Sequence, residues 1–119
     1  MTQMEQLAFP PDTALAQFAG ADSDAPERAA NFLKSLAHRD RLKVLCCLVQ
    51  GELSVAEIEA QVGASQSAVS QHLTRLKSEG VLTSRREGRQ IRYSIADEMV
   101  LKLIMLLYGR FCADGPSSV

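Results

Sequence analysis

Three thiols are the groups in this chain most able to do chemistry: Cys46 and Cys47 stand side by side, and Cys112 lies near the C-terminus. A thiolate attacks a sulfane sulfur or a peroxide, and a second thiol can then close a disulfide or a longer sulfur bridge. Thiols also bind soft ions. A buried Cys can equally be a small hydrophobe. The odd count argues against a structural disulfide framework. Cys46 and Cys47 fall in a helical pattern, where neighbours point about 100° apart, so they chelate poorly together. A vicinal disulfide there would be strained. A direct Cys46–Cys112 disulfide needs Cα atoms within about 7 Å, so only the fold can bring that pair together.

A second set of residues points to hydrogen bonding along a surface. Between Ser65 and Ser78, the residues Ala68, Val69, Leu73 and Leu76 form one apolar face. That leaves Gln66, Ser67, Ser70, Gln71, Thr74 and Arg75 outward. Gln pairs two-fold with adenine, Arg with guanine, and Ser reaches bases or phosphates in a major groove. His72 has two readings, a phosphate contact or packing against a neighbouring helix. Arg85, Arg86, Arg89 and Arg92 surround Gly88 and suit phosphate or minor-groove contact.

These residues need a scaffold, and the pattern supplies one. Thr13 to Phe18 can form a short helix. Pro26 suits the start of another, with Ala29, Phe32, Leu33 and Leu36 at helical spacing. A break near His38 opens a helix whose apolar stripe is Leu42, Leu45, Cys46 and Val49, stopped by Gly51. Ser54 and Glu57 form a capping box for Val55 to Val62, with Val55, Ile58 and Val62 inward. Gly63 supplies a left-handed turn residue. Ser65 caps the next helix, and Gly80 fits just beyond its end. Val81 to Arg86 and Gln90 to Ile95 read as strands joined at Glu87, Gly88 and Arg89, with Tyr93 packed beneath. Asp97 and Glu98 open a last helix that runs to about Cys112. Two short capped helices followed by a basic hairpin describe a winged helix-turn-helix, mainly α with a small β-hairpin wing. The expected organisation is an N-terminal arm over 1–25, partly disordered, a DNA-binding and dimerisation domain over 26–114, and a tail over 115–119.

Composition agrees. The chain has 119 residues, 46% hydrophobic and 23% charged, which fits one ordinary domain. The net charge of −1 hides an asymmetry. The first thirty residues carry Glu5, Asp12, Asp22, Asp24 and Glu27 against Arg28 alone. Arg75, Lys77, Arg85, Arg86, Arg89 and Arg92 stand against only Glu79 and Glu87 between residues 65 and 92. A local basic patch is what nucleic acid requires. Met99 to Phe111 is interrupted by Lys102 and Arg110, so no membrane span is expected. The N-terminus lacks a basic secretory n-region, so a cytoplasmic location is expected.

Three segments together resemble the ArsR/SmtB family of winged-helix repressors. They are Leu36 to Leu45, Gly51 to Ile58, and Ser65 to Leu73, within a likeness that covers roughly residues 28 to 112. The resemblance implies a homodimer built through the first and last helices, bound to a double-stranded DNA operator and released by an inducer. The family's arsenic and cadmium sensors carry a Cys-x-Cys pair where this chain has Ser54, Val55 and Ala56. Its zinc sensors use His and Asp on the last helix, which has no His here. Neither metal site can be built, and no cofactor is implied. The chain is more similar to the BigR/SqrR/HlyU group, which responds to reactive sulfur species or oxidants. Cys46, ahead of Gly51 and Glu52, matches that group's first Cys. Cys112, after Tyr108 and Phe111, matches its second. Cys47 departs from the pattern. The implied protein is a repressor released when Cys46 and Cys112 are linked. The alternative is a repressor of the same family that holds a soft metal or metalloid with all three cysteines. No Cys-x-x-Cys, βαβ, Gly-rich or Ser-His-Asp signature is present, so no enzyme is expected.

Overall fold

The computed structural model describes residues 12–112; the expected C-terminal tail and residues 1–11 of the expected arm lie outside them. The chain divides into two compact units, one ending at Ser35 and the other beginning at Leu36. The first holds α1 (Asp12–Ala19) and nearly all of α2 (Ala25–Leu36). The Ser23 hydroxyl accepts from the Ala25 amide at 3.1 Å, and the Asp24 carbonyl accepts from Arg28 at 3.0 Å. Pro26 therefore falls in the first turn, where its missing N–H costs nothing. Leu15, Phe18 and Leu33 of this unit remain exposed.

The second unit runs α3 (Arg39–Cys47), β1 (Leu53–Ser54), α4 (Val55–Val62), α5 (Gln66–Ser78), β2 (Leu82–Glu87), β3 (Gln90–Ile95) and α6 (Glu98–Phe111). His38 caps α3, its Nδ1 accepting from the Asp40 amide at 3.1 Å. The helix ends at Cys47, earlier than the stop expected at Gly51. The amides of Leu48, Val49 and Gly51 each reach back only three residues, to Leu45, Cys46 and Leu48. Such turns are tighter than α and shift the phase of the residues after them. The expected stripe is corrected accordingly. Val44, Leu45 and Leu48 are buried, whereas Cys46 is exposed and Leu42 and Val49 are half-buried.

Ser54 and Glu57 form the full capping box that opens α4. Gly63 ends that helix at φ 76°, in the left-handed region that only Gly enters cheaply. The Ser65 hydroxyl accepts from the Ala68 amide at 3.2 Å and starts α5. At the other end Val81 and Gly80 donate to Leu76 and Lys77 at 2.9 and 3.0 Å. That is a Schellman closure with Gly80 at its left-handed position. The chain thus turns straight from α5 into the wing.

The sheet is antiparallel and three-stranded, ordered β1-β3-β2. β1 adds a short third strand to the expected hairpin. Glu87 pairs with Gln90, so the loop is only Gly88 and Arg89. Gly88 takes φ 63° and Arg89 does not take a positive φ. Those signs belong to the tight hairpin turn with Gly at its first position. Ile58, Val69, Leu73, Leu76, Val81, Leu82, Val100 and Ile104 join Val44 and Leu45 in one core. The outward face of α5 and the thiol-bearing face of α3 both stand on this core.

Candidate nucleic-acid interface and thiol site

Helix α5 separates its two faces cleanly. Val69, Leu73 and Leu76 are fully buried, at spacings of four and three. Gln66, Ser67, Ser70, Gln71, Thr74 and Arg75 are all exposed. No Glu or Asp interrupts that outward face, and Glu79 stands just beyond the last turn. Its carboxylate meets Arg75 Nε at 2.8 Å. An exposed i,i+4 pair of this kind contributes only about 0.5 kcal/mol, so a phosphate can displace it.

His72 takes the packing role among its two readings. Its ring lies 4.6 Å from that of His38, tilted by 54°. Its Nδ1 accepts from Arg41 Nε at 3.3 Å. Helix α5 is thereby tied to the N-terminal end of α3. Burial, with the charges of His38 and Arg41, holds the His72 pKa below the usual imidazole range. The potential ligand atoms of His38, Asp40 and His72 lie within 4.8 Å of one another. However, Nδ1 of each imidazole accepts an N–H, so each neutral ring carries its proton on Nε2. Coordination through Nε2 would set two N–H groups against each other.

The four wing arginines fall into two pairs. Arg85 and Arg92 stand directly opposite across the β2–β3 ladder. Like charges there repel, and Glu52 sits between them. Its carboxylate accepts from Arg92 Nε at 3.0 Å and from Arg85 Nε at 3.0 and 3.1 Å, with Arg85 Nη2 also bonded to it. Arg92 is only 19% exposed and also lies 3.6 Å from Glu57 and Glu87. The Arg85 hydrogen bond chiefly, and then Arg92, draw the Glu52 carboxyl below the usual range. Arg86 and Arg89 are exposed and have no ion-pair partner among the described residues. Glu52 and Arg41 are therefore functional neighbours that sequence reasoning missed. A two-residue loop would have set Arg85 opposite Arg92 and called for an acid between them.

Cys46 and Cys47 lie at the end of α3, and Cys112 lies at the end of α6. All three are free; Cys46 and Cys112 are exposed and Cys47 is half-buried. Cys46 and Cys47 border a cleft of about 400 Å³, walled by Ile104, Met105 and Tyr108 of α6. Cys112 caps α6, its amide donating to the Tyr108 carbonyl at 2.8 Å. Burial raises the Cys46 pKa, and the charge of Cys112 raises it further. The fold thus brings this distant pair within electrostatic reach. Cys47 differs, because its thiol donates to the Val44 carbonyl at 3.1 Å. Burial foremost pushes its pKa up to about 11, so it is the less reactive neighbour.

A capped helix with a polar outward face, set beside a basic two-stranded wing, defines a winged-helix DNA-binding regulator. Residues 38–84 match the family model described as "Bacterial regulatory protein, arsR family". The "Biofilm growth-associated repressor" of Agrobacterium fabrum is 45% identical over 84 residues, 71% of this chain and 72% of that protein. HlyU of Vibrio cholerae, described as a transcriptional activator, is 38% identical over 85 residues, 71% of this chain and 79% of that one. Its structure described as reduced superposes with a TM-score of 0.70 at 37% identity, covering 73% of this chain and 92% of that one. The repressor BigR of Xylella fastidiosa superposes with a TM-score of 0.73 at 36% identity, covering 87% of this chain and 99% of that one. The chain belongs to the arsR family of bacterial regulatory proteins, in the branch that holds BigR and HlyU. Among the described residues no helix is long and apolar enough to cross a membrane.

Proposed function

We propose that this chain is a homodimeric repressor that leaves its DNA operator when Cys46 and Cys112 become linked. The observation that carries the reading is that two free thiols come within electrostatic reach, Cys46 bordering the cleft between α3 and α6 and Cys112 ending α6. Helix α5 enters the major groove with Gln66, Ser67, Ser70, Gln71 and Arg75 toward the bases. Arg86 and Arg89 meet phosphates, while Arg85 and Arg92 brace the wing through Glu52. His72 positions α5 through His38 and Arg41. The partner subunit covers the exposed Met99, Met105, Leu106 and Phe111 of α6. Each large apolar side chain buried there contributes about 1.5–3 kcal/mol.

A bridge between Cys46 and Cys112 ties α3 to α6. α3 holds the recognition helix, and α6 faces the partner. The tie therefore alters the spacing of the two recognition helices, which must match about 34 Å of DNA. A sulfur donor or an oxidant can make the bridge. With an organic persulfide, the Cys46 thiolate attacks the outer sulfur and expels the organic thiol. Cys112 then attacks Cys46 Sγ and expels hydrosulfide. Two thiols and one persulfide give one disulfide, one thiol and one hydrogen sulfide, with no further oxidant. The event is stoichiometric, so the chain is a switch and not an enzyme. A three-thiol soft-metal site is less favoured, because Cys47 is directed to the Val44 carbonyl.

The test is fluorescence anisotropy on the DNA upstream of the chain's own gene. Reduced protein should bind, glutathione persulfide should release it, and a reductant should restore it. Release that persists in both Cys46→Ser and Cys112→Ser refutes the switch.

A further inference from the structure

A second opening adjoins the thiols on the outer side of α3. It is a shallow groove of about 530 Å³, lined by Arg39, Leu42, Lys43, Cys46, Cys47 and Gln61. Arg39, Lys43 and Cys46 or Cys47 recur at spacings of four and three or four, so they share one stripe of the helix. The lining contains two cations and no acid. Lys43 has no ion-pair partner among the described residues. Arg39 makes only a 3.6 Å contact with its neighbour Asp40, with its side chain 83% exposed. Both cations can therefore serve an incoming anion.

Neither cation is among the groups that set the Cys46 pKa, which burial raises and Cys112 raises further. Their field acts on whatever approaches the thiol. The groove runs along about 10 Å of helix between Arg39 and Cys46, the length of a small peptide-like molecule. It opens at Cys46 beside the α3–α6 cleft, the two sharing Cys46, Cys47 and Gln61.

We propose that this groove is a recognition site for a carboxylate-bearing organic persulfide, whose carboxylates meet Arg39 and Lys43 while its sulfane sulfur meets Cys46. The proposal rests on the thiol-switch reading and adds the class of donor that the switch selects. Because the thiol is largely protonated at neutral pH, capture of the reagent beside it offsets the small thiolate fraction. Uncharged persulfides and peroxide lack this capture and react more slowly at the same sulfur. In the sulfur transfer the Cys46 thiolate still takes the outer sulfur and expels the organic thiol, and the carboxylates take no part.

The test compares reagents of one chemistry and different charge on full-length protein without DNA. The dianion 5,5′-dithiobis(2-nitrobenzoate) and neutral 4,4′-dithiodipyridine both exchange with a thiolate and release a chromophore. Rates are measured by stopped flow, with mass spectrometry mapping the label on Cys46. Glutathione persulfide and its diethyl ester give the same comparison with the sulfur donor itself. Arg39→Gln/Lys43→Gln should slow the carboxylate-bearing member of each pair by about tenfold and should not slow the carboxylate-free member. Added salt should slow only the anionic reaction of the native chain. The proposal is overturned if the double variant leaves both rates unchanged, or slows both equally. Failure of the switch reads out separately, as operator release that ignores Cys46→Ser and Cys112→Ser while the charge preference at Cys46 persists.

Discussion

Replacing Arg89 by Ala should flatten the salt dependence of operator binding, whereas replacing Arg92 by Ala should not. The structure sets this difference. Arg89 occupies the loop of the wing with no ion-pair partner among the described residues, and Arg92 is 19% exposed within the Glu52, Glu57 and Glu87 cluster. Each phosphate contact releases counterions and adds about 0.9 to the slope of log affinity against log salt. A dimer loses two contacts per substitution, so the slope should fall by about 1.8. Between 50 and 200 mM salt, native protein should therefore lose about tenfold more affinity than Arg89→Ala. Arg86→Ala should behave like Arg89→Ala.

Arg92→Ala should act on folding. Removing it leaves Glu52 with Arg85 alone and Glu57 and Glu87 without their shared cation. The thermal midpoint should drop while the salt slope of the remaining folded protein stays native. Fluorescence anisotropy titrations at four salt concentrations, paired with thermal unfolding, measure both quantities. An equal flattening by Arg92→Ala and Arg89→Ala would refute the division of the wing into bracing and contacting arginines.

Three further outcomes are expected. The Cys46 pKa lies above the ordinary thiol range, so its labelling rate should rise about tenfold per pH unit from 6 to 8; a plateau in that range would show an activated thiolate instead. The His72 pKa is lowered on folding, so its contribution to stability is complete above about pH 6.5 and is lost as pH falls through 6.5 toward the native value. Thermal midpoints of native protein should thus fall more steeply from pH 7 to 5.5 than those of His72→Gln, and parallel curves would contradict this. Leu106, 72% exposed on α6, should become a buried dimer contact. Leu106→Glu should yield monomers in analytical ultracentrifugation at concentrations where the native chain is dimeric, and an unchanged sedimentation coefficient would move the interface elsewhere.

Local signals carry most of the fold. The capping box at Ser54 and Glu57, the left-handed glycines Gly63 and Gly80 and the Ser65 cap each act within a few residues. They therefore define α4, α5 and the entry to the wing from sequence alone. The phase of α3 is not legible, because tight turns after Cys47 break the periodicity that Val49 would otherwise continue. Arg85 and Arg92 read as part of a basic patch, since composition counts charges and does not pair them. Their pairing depends on a register set by a two-residue loop and on Glu52, which is remote in sequence. His72 stands between two roles in the sequence for the same reason: Arg41 and His38 reach it only through the packing of α3 on α5. Resemblance joins Cys46 to Cys112, and the fold then sets Cys46 beside the helix that Cys112 ends.

α3 is the element through which the two sites can communicate. Its first turn carries His38 and Arg41, which hold His72 of the recognition helix. Its last turn carries Cys46, which borders the cleft against α6. The helix has only nine residues, about 13 Å, and Val44 and Leu45 anchor its middle in the core. A short helix pinned at its centre responds to a pull at one end by tilting as a unit, because close-packed interiors do not compress to absorb the motion. Drawing Cys46 toward Cys112 should consequently displace His38 and Arg41 relative to His72. The contact at stake is modest, one 3.3 Å hydrogen bond and one ring pair. Modest coupling suffices, since allosteric effects commonly amount to about 1–3 kcal/mol and both subunits contribute. Arg41→Gln tests this route directly. It removes the guanidinium that His72 accepts from while leaving the thiols untouched. If α3 carries the signal, bridged Arg41→Gln protein should retain more of its reduced-state affinity than bridged native protein. If release is complete in both, the signal travels through the α6 interface alone.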